Sequence, residues 1–198
     1  FRALKEYLVD NIGNYVFSRA KTNRLITSKK SSAIGSQALI KFMQAYGASA
    51  ETVLGEMLLY VFMEQELNAP KIMSKIEIND LGRSIESKSD GVHLLAINDN
   101  GQLFHQLVFG ASDVHGDLAI AIDRAFDKII EIESNSDTEL KMVENTTHGS
   151  IYDSDTTNYM VNLLIPNKAS VAKPDMAFGV FLGYTLSLGY TETNNNKY

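Results

Sequence analysis

Asn100-Gly101 stands between two runs, 90–98 and 103–110, in which apolar and polar residues alternate. Asn-Gly is the strongest short hairpin signal, because both residues of a two-residue type I′ loop need positive φ. The dipeptide fixes a register as well as a turn: Asp99 stands opposite Gln102, and counting outward puts Asp90 directly across from Ala111. Side chains alternate at period two along a strand, so Val92, Leu94, Leu107 and Phe109 share an apolar face with Asp90, Ala111 and Asp113 at its end. A carboxylate at the edge of a core is costly to keep charged without a partner, and a metal ion or a lysine would be such a partner.

The remainder of the 198 residues, 44% of them hydrophobic, suffices for one domain with a sizeable core. The absence of cysteine excludes disulfides, thiolate zinc sites and cysteine nucleophiles, and fits a reducing, cytoplasmic setting. No apolar run approaches the about 20 residues of a membrane span, so no membrane association is expected. The net charge of −6 argues against a protein that coats nucleic acid. It is unevenly spread. Residues 1–50 carry eight Lys and Arg against two Asp and Glu, while residues 51–150 carry seven against eighteen. The basic quarter reads either as solvated helix faces or as contact with an anionic or acidic partner.

Helical spacing of Tyr7, Leu8, Ile12, Tyr15 and Val16 predicts a helix over about 2–18, followed by a polar, basic connector from Arg19 to Ser36. A second helix through Leu39, Ile40, Met43 and Tyr46 ends at Gly47, and Ser49 opens a third, Val53 to Leu67, stopped by Pro70. Lys71 to Asn79 reads as a strand. Asp117 caps a helix from Leu118 to about Glu133 with Leu118, Ile122, Ala125, Phe126, Ile129 and Ile130 on its buried face. Ser134 to Ser150 reads as a loop, Asn158 to Ile165 as a short apolar segment, and Ala177 to Leu188 as a last β-forming stretch. The division expected is a helical, basic region over 1–48, a core domain over 49–190 and a polar tail over 191–198.

Glu56 has Val53 at i−3, Leu59 at i+3 and Tyr60 at i+4, beside the apolar stripe of its helix. It reads either as a rim acid or as a second site carboxylate pointing toward Asp90 and residue 111. His93, His105, His115 and His148 show no zinc spacing, and His93 falls on the hairpin face opposite Asp90, where it packs structurally. Lys71, Lys75 and Lys88 read as DNA-backbone contacts or as solvated lysines. No phosphate-binding glycine loop is present, so ATP-driven work would need a partner chain.

Helix with acid, strand, strand with acid, then a strand end facing that acid resembles the PD-(D/E)xK nuclease core. The wider run of Gly55-Glu56, Leu58-Leu59-Tyr60, Ala69-Pro70-Lys71-Ile72-Met73-Ser74-Lys75, Ser89-Asp90-Gly91-Val92-His93-Leu94, Leu107-Val108-Phe109-Gly110 and Met176 to Tyr184 resembles HamA, the nuclease subunit of the bacterial Hachiman anti-phage system. The resemblance implies an α+β, restriction-endonuclease-like fold with a mixed sheet flanked by helices. It also implies a Mg²⁺-dependent DNA nuclease that works with the superfamily 2 helicase HamB. In such a site two carboxylates and a backbone carbonyl hold Mg²⁺ and a lysine helps activate water. Asp90 and Glu56 would be the metal-binding carboxylates here. The catalytic pair is lost, however: where the family has Gly-Glu-x-Lys, this chain reads Gly110-Ala111-Ser112-Asp113, so the expectation is a nuclease inactivated at positions 111 and 113 or a non-catalytic subunit that docks a helicase.

Overall fold

A computed structural model describes residues 2–47, 50–80, 87–148 and 175–185. Three helices, α1 (Arg2–Val16), α2 (Arg19–Thr27) and α3 (Ser32–Tyr46), precede α4 (Ala50–Gln65). Strand β1 (Lys71–Ser74), the short helix α5 (Lys75–Asp80) and strands β2 (Gly91–Asp99) and β3 (Gln102–His115) follow. Helices α6 (Leu118–Ser134) and α7 (Ser136–His148) lead on to β4 (Asp175–Tyr184). The sheet has the order β1-β2-β3-β4; its first two pairings are antiparallel and β3 runs parallel to β4. The fold is thus α+β, a mixed four-stranded sheet flanked by helices. No described helix is long and apolar enough to cross a membrane.

The hairpin takes the register that Asn-Gly dictates: Asn100 and Gly101 have φ of 52° and 87°, Asp99 pairs with Gln102, and Gly91 pairs with Gly110. Val92, Leu94, Leu107 and Phe109 pack together as expected, against Ile132 of α6 and Leu140, Met142 and Val143 of α7. On the other face, Val108 meets Leu59 and Met63 of α4. Helix α4 also buries Val53, Met57 and Tyr60 against Tyr15, Val16, Phe17 and Ala38 of the N-terminal helices. It lies between two layers, which is why its sequence is apolar nearly all round. Two glycines let it approach β3: a Cβ on Gly110 would lie 2.6 Å from Leu59 Cδ2, and one on Gly55 would lie 3.2 Å from Ser112 Oγ.

Several expectations need correction. The basic connector contains α2, capped by the Ser18 side chain on the Lys21 N–H. The expected strand Lys71 to Asn79 stops at Ser74, because Ser74-Lys75-Ile76-Glu77 forms a capping box: Glu77 Oε2 accepts from the Ser74 N–H at 3.0 Å and Ser74 Oγ from the Glu77 N–H at 3.4 Å. The expected loop from Ser134 holds α7, anchored by Leu140, Met142 and Val143. Asp117 does cap α6, accepting from the N–H groups of Ala119 and Ile120. Of the predicted buried stripe of α6, Ala125 is fully buried and Ile129 half-buried, but the other members are not. Ala121, Ala125 and Ile132 face inward, while Leu118, Ile122, Phe126 and Ile130 are exposed, Phe126 at 52% and Ile130 at 58%. Small residues let a helix lie close on a sheet, and that favours the alanines over the larger side chains. The Ser49 cap, the segment Asn158 to Ile165, the end of the last stretch beyond 185 and the polar tail lie outside the described residues.

Candidate functional site

Asp90 immediately precedes β2, and its backbone N–H donates to the Gly110 carbonyl at 2.8 Å, extending the ladder by one residue. Its side chain is almost fully buried. Asp90 Oδ2 accepts three hydrogen bonds: from the Ser112 N–H at 2.7 Å, the Ser112 hydroxyl at 2.9 Å and the Lys128 ammonium at 2.7 Å. Lys128 Nζ also donates to the Ser112 carbonyl at 2.7 Å. Of the two partners for Asp90 that chemistry allows, the fold supplies the lysine. Lys128 comes from the inward stripe of α6, one turn beyond Ala125 and one turn before Ile132. Ion pairs this buried hold only when the remaining polar atoms are also satisfied.

The other predicted positions gather unevenly around this pair. Ala111, the position at which the resemblance implies a carboxylate, is fully buried. Asp113, where the resemblance implies a lysine, has its Oδ2 buried without a hydrogen-bond partner. Glu56 is buried on α4, but its Oε2 is held by the hydroxyls of Tyr15, at 2.9 Å, and Tyr46, which are themselves 2.9 Å apart. Burial pushes the Glu56 carboxyl above the usual range and the Asp90 charge adds to this, while the two tyrosine hydroxyls and the Lys75 ammonium draw it back. Both tyrosines are held well above the ordinary phenol range, first by burial and then by Glu56, so they remain hydrogen-bond donors.

Lys75 is half-buried, with Nζ donating to the carbonyls of Ser87 at 3.2 Å and Ser89 at 2.9 Å. Burial lowers its pKa, opposed by Asp90 and Glu56 and reinforced by Lys128. Glu139 of α7 closes the far side, accepting from the Ser87 hydroxyl at 2.7 Å and the Lys88 N–H at 3.1 Å. Lys71 is buried; its ammonium is spent on backbone carbonyls at the end of α1 and on Glu77, which removes it as a DNA contact. Lys88 pairs at the surface with Glu131. His93 packs structurally, as expected, with Nδ1 2.8 Å from the Ala69 carbonyl. His115 Nδ1 accepts from the Asp117 N–H at 3.1 Å, at the start of the α6 cap.

Sequence reasoning missed Ser112, Lys128 and the two tyrosines. The signal for Lys128 was its place on the stripe Ala121, Ala125, Lys128, Ile132, which has helical spacing once alanine is counted as a packing residue. Tyr15 and Tyr46 lie 41 and 10 residues from Glu56 and carried no local signal.

The residues present do not fit the divalent cation that the resemblance implies. Among the described residues no three His, Asp or Glu side chains are grouped to hold a metal ion. Asp90 Oδ2 and the Ser112 carbonyl, two oxygens a cation would share, already hold an ammonium. No curated protein and no solved structure matches the chain. A family model does, and it covers residues 1–198; the chain belongs to the HamA family.

Proposed function

We propose that this chain is a non-catalytic, nuclease-fold subunit of a Hachiman anti-phage complex, one that docks on the helicase HamB and meets DNA without cutting it. Membership of the HamA family supports the role of a Hachiman defence subunit. The observation that carries the non-catalytic reading is the state of Asp90: the position across the ladder is a buried alanine, and the carboxylate oxygen Oδ2 is engaged by Ser112 and Lys128. Position 111 offers no carboxylate and position 113 no lysine. The lysines that do lie near Asp90 are spent on protein oxygens, Lys128 on Asp90 and the Ser112 carbonyl and Lys75 on the Ser87 and Ser89 carbonyls, which weakens any means of organising a nucleophile beside a phosphate.

Docking falls to the N-terminal helices, whose charge differs most from the rest of the chain. Lys21, Arg24, Lys29 and Lys30 are exposed there, whereas Arg19 is engaged with Glu64 at 2.9 Å and serves the fold instead. Reversing the four exposed charges should abolish co-purification with the helicase while leaving the melting temperature close to that of the unmodified chain. Loss of DNA binding with the complex intact would make the stretch a phosphate contact, with an affinity that falls steeply with salt. If neither changes, this stretch is only a solvated surface and the docking assignment is wrong.

A further inference from the structure

The nuclease-like site lacks room for a metal ion in a specific way. Lys128 Nζ lies 2.7 Å from Asp90 Oδ2 and 2.7 Å from the Ser112 carbonyl, so a single charged atom bridges a strand-end carboxylate and the backbone oxygen of the facing strand. Those are the two oxygens that a hard divalent cation would take first, since Mg²⁺ binds through one or two carboxylates with other oxygens and water completing its shell. We infer that Lys128 is a tethered, permanent cation that occupies the divalent-metal position of this fold and closes it to Mg²⁺. The inference rests on reading the chain as a non-catalytic member of a nuclease fold.

Charge balance supports it. One carboxylate, Asp90, matches one ammonium, whereas a divalent ion at the same oxygens would bring two positive charges up against both Lys128 and Lys75, whose ammonium lies at the Ser89 carbonyl next to Asp90. Glu56 acts on Lys75 through its charge, but its Oε2 is committed to Tyr15 and Tyr46 rather than offered as a ligand. The lysine also belongs to the fold: it stands on the sheet-facing stripe of α6 with only 28% of its side chain exposed, and Asp90 shows 3%. Its tether is the helix itself, so no free ion has to be captured, and the interaction does not depend on metal concentration.

The test compares Mn²⁺ binding, read from the loss of the free-ion electron paramagnetic resonance signal, with the melting temperature in rising Mn²⁺. Ala111→Glu returns the second carboxylate. With Lys128 in place it should bind no Mn²⁺ through Asp90 and show no Mn²⁺-dependent shift. Ala111→Glu with Lys128→Met should gain one Mn²⁺ site, lost again on Asp90→Asn, and a melting temperature that climbs with Mn²⁺, as for any ligand bound only by the native state. Should Lys128→Met fail to fold, Lys128→Gln keeps a hydrogen-bond donor beside Asp90 and carries the same comparison. Equal Mn²⁺ binding with and without the lysine, or none in either case, overturns the inference. An unmodified chain that binds Mn²⁺ through Asp90 yet leaves DNA intact overturns it alone; cleavage by the unmodified chain overturns the non-catalytic reading.

Discussion

Replacing Lys71 by methionine should lower the unfolding free energy by about 3–5 kcal/mol, the cost of breaking one side of a buried ion pair. The side chain is 2% exposed, and its ammonium donates to the carbonyls of Asn14, Tyr15 and Phe17 at 2.7, 2.9 and 3.0 Å, with Glu77 Oε2 at 2.7 Å. The three carbonyls lie at the C-terminal end of α1, where backbone oxygens have no partner in their own helix and the helix dipole is negative. One lysine thus ties the N-terminal helices to β1 and to the capping box of α5. Burial pulls its pKa down and Glu77 pulls it back, so the pair is held by geometry more than by net gain. Methionine keeps the length and apolar stem of the side chain but strands the Glu77 carboxylate and the three carbonyls. Adding Glu77→Gln should recover part of the loss, since the stranded charge is then gone. Urea unfolding of the two variants checks this; a loss below about 1 kcal/mol for Lys71→Met, the range of a surface pair, would contradict the account.

Stability should also fall as the pH drops from about 6.5 to about 4 through one buried imidazole. Burial pushes His93 down to about 4 in the folded protein, against an ordinary value of 6.5. Between those values the unfolded chain binds a proton that the native state refuses, so unfolding takes up protons and stability rises with pH across the window. Once both values are passed on the acid side the loss is about 3 kcal/mol, at 1.36 kcal/mol per pKa unit. Glu56 and Glu139 work in the opposite direction, because burial raises both carboxyls and their native forms take up protons before the unfolded chain does. Comparison with His93→Gln isolates the histidine. The variant should lose the steep fall between pH 6.5 and 4 in urea unfolding midpoints, and an unchanged slope would show that His93 is not the titrating group.

What the sequence made legible was local. Asn100-Gly101 set the hairpin, and through it the register that brings Asp90, just before β2, beside Gly110 and Ala111 of β3, because a two-residue loop leaves no freedom in strand pairing. Asp117 announced α6 for the same kind of reason, as a side chain that accepts from the first turn of its own helix. The structural role of His93 followed from strand parity. Ser74 and Glu77 held an equally local signal, a capping box, which the surrounding alternation of apolar residues concealed.

The partners of the site acids were harder to read because they are tertiary. Lys128 reaches Asp90 across 38 residues, and only the packing of two alanines against the sheet orients it. Large apolar residues on the opposite side of α6 dominate its periodicity and pointed to the wrong face. Glu56 stands on the expected helix, but the tyrosines that claim it come from α1 and α3, whose packing on α4 no spacing in the chain encodes. That a lysine from α6 takes up the Asp90 carboxylate could not be read from the motif around Ala111 and Asp113.

Held by protein donors, Asp90 should direct no chemistry. The purified chain, alone and with the proposed helicase partner, can be incubated with plasmid DNA in Mg²⁺ beside an Asp90→Ala control. The account predicts intact DNA from the chain alone, and no difference between the unmodified and Asp90→Ala complexes. Degradation by the unmodified chain that disappears on Asp90→Ala would contradict it.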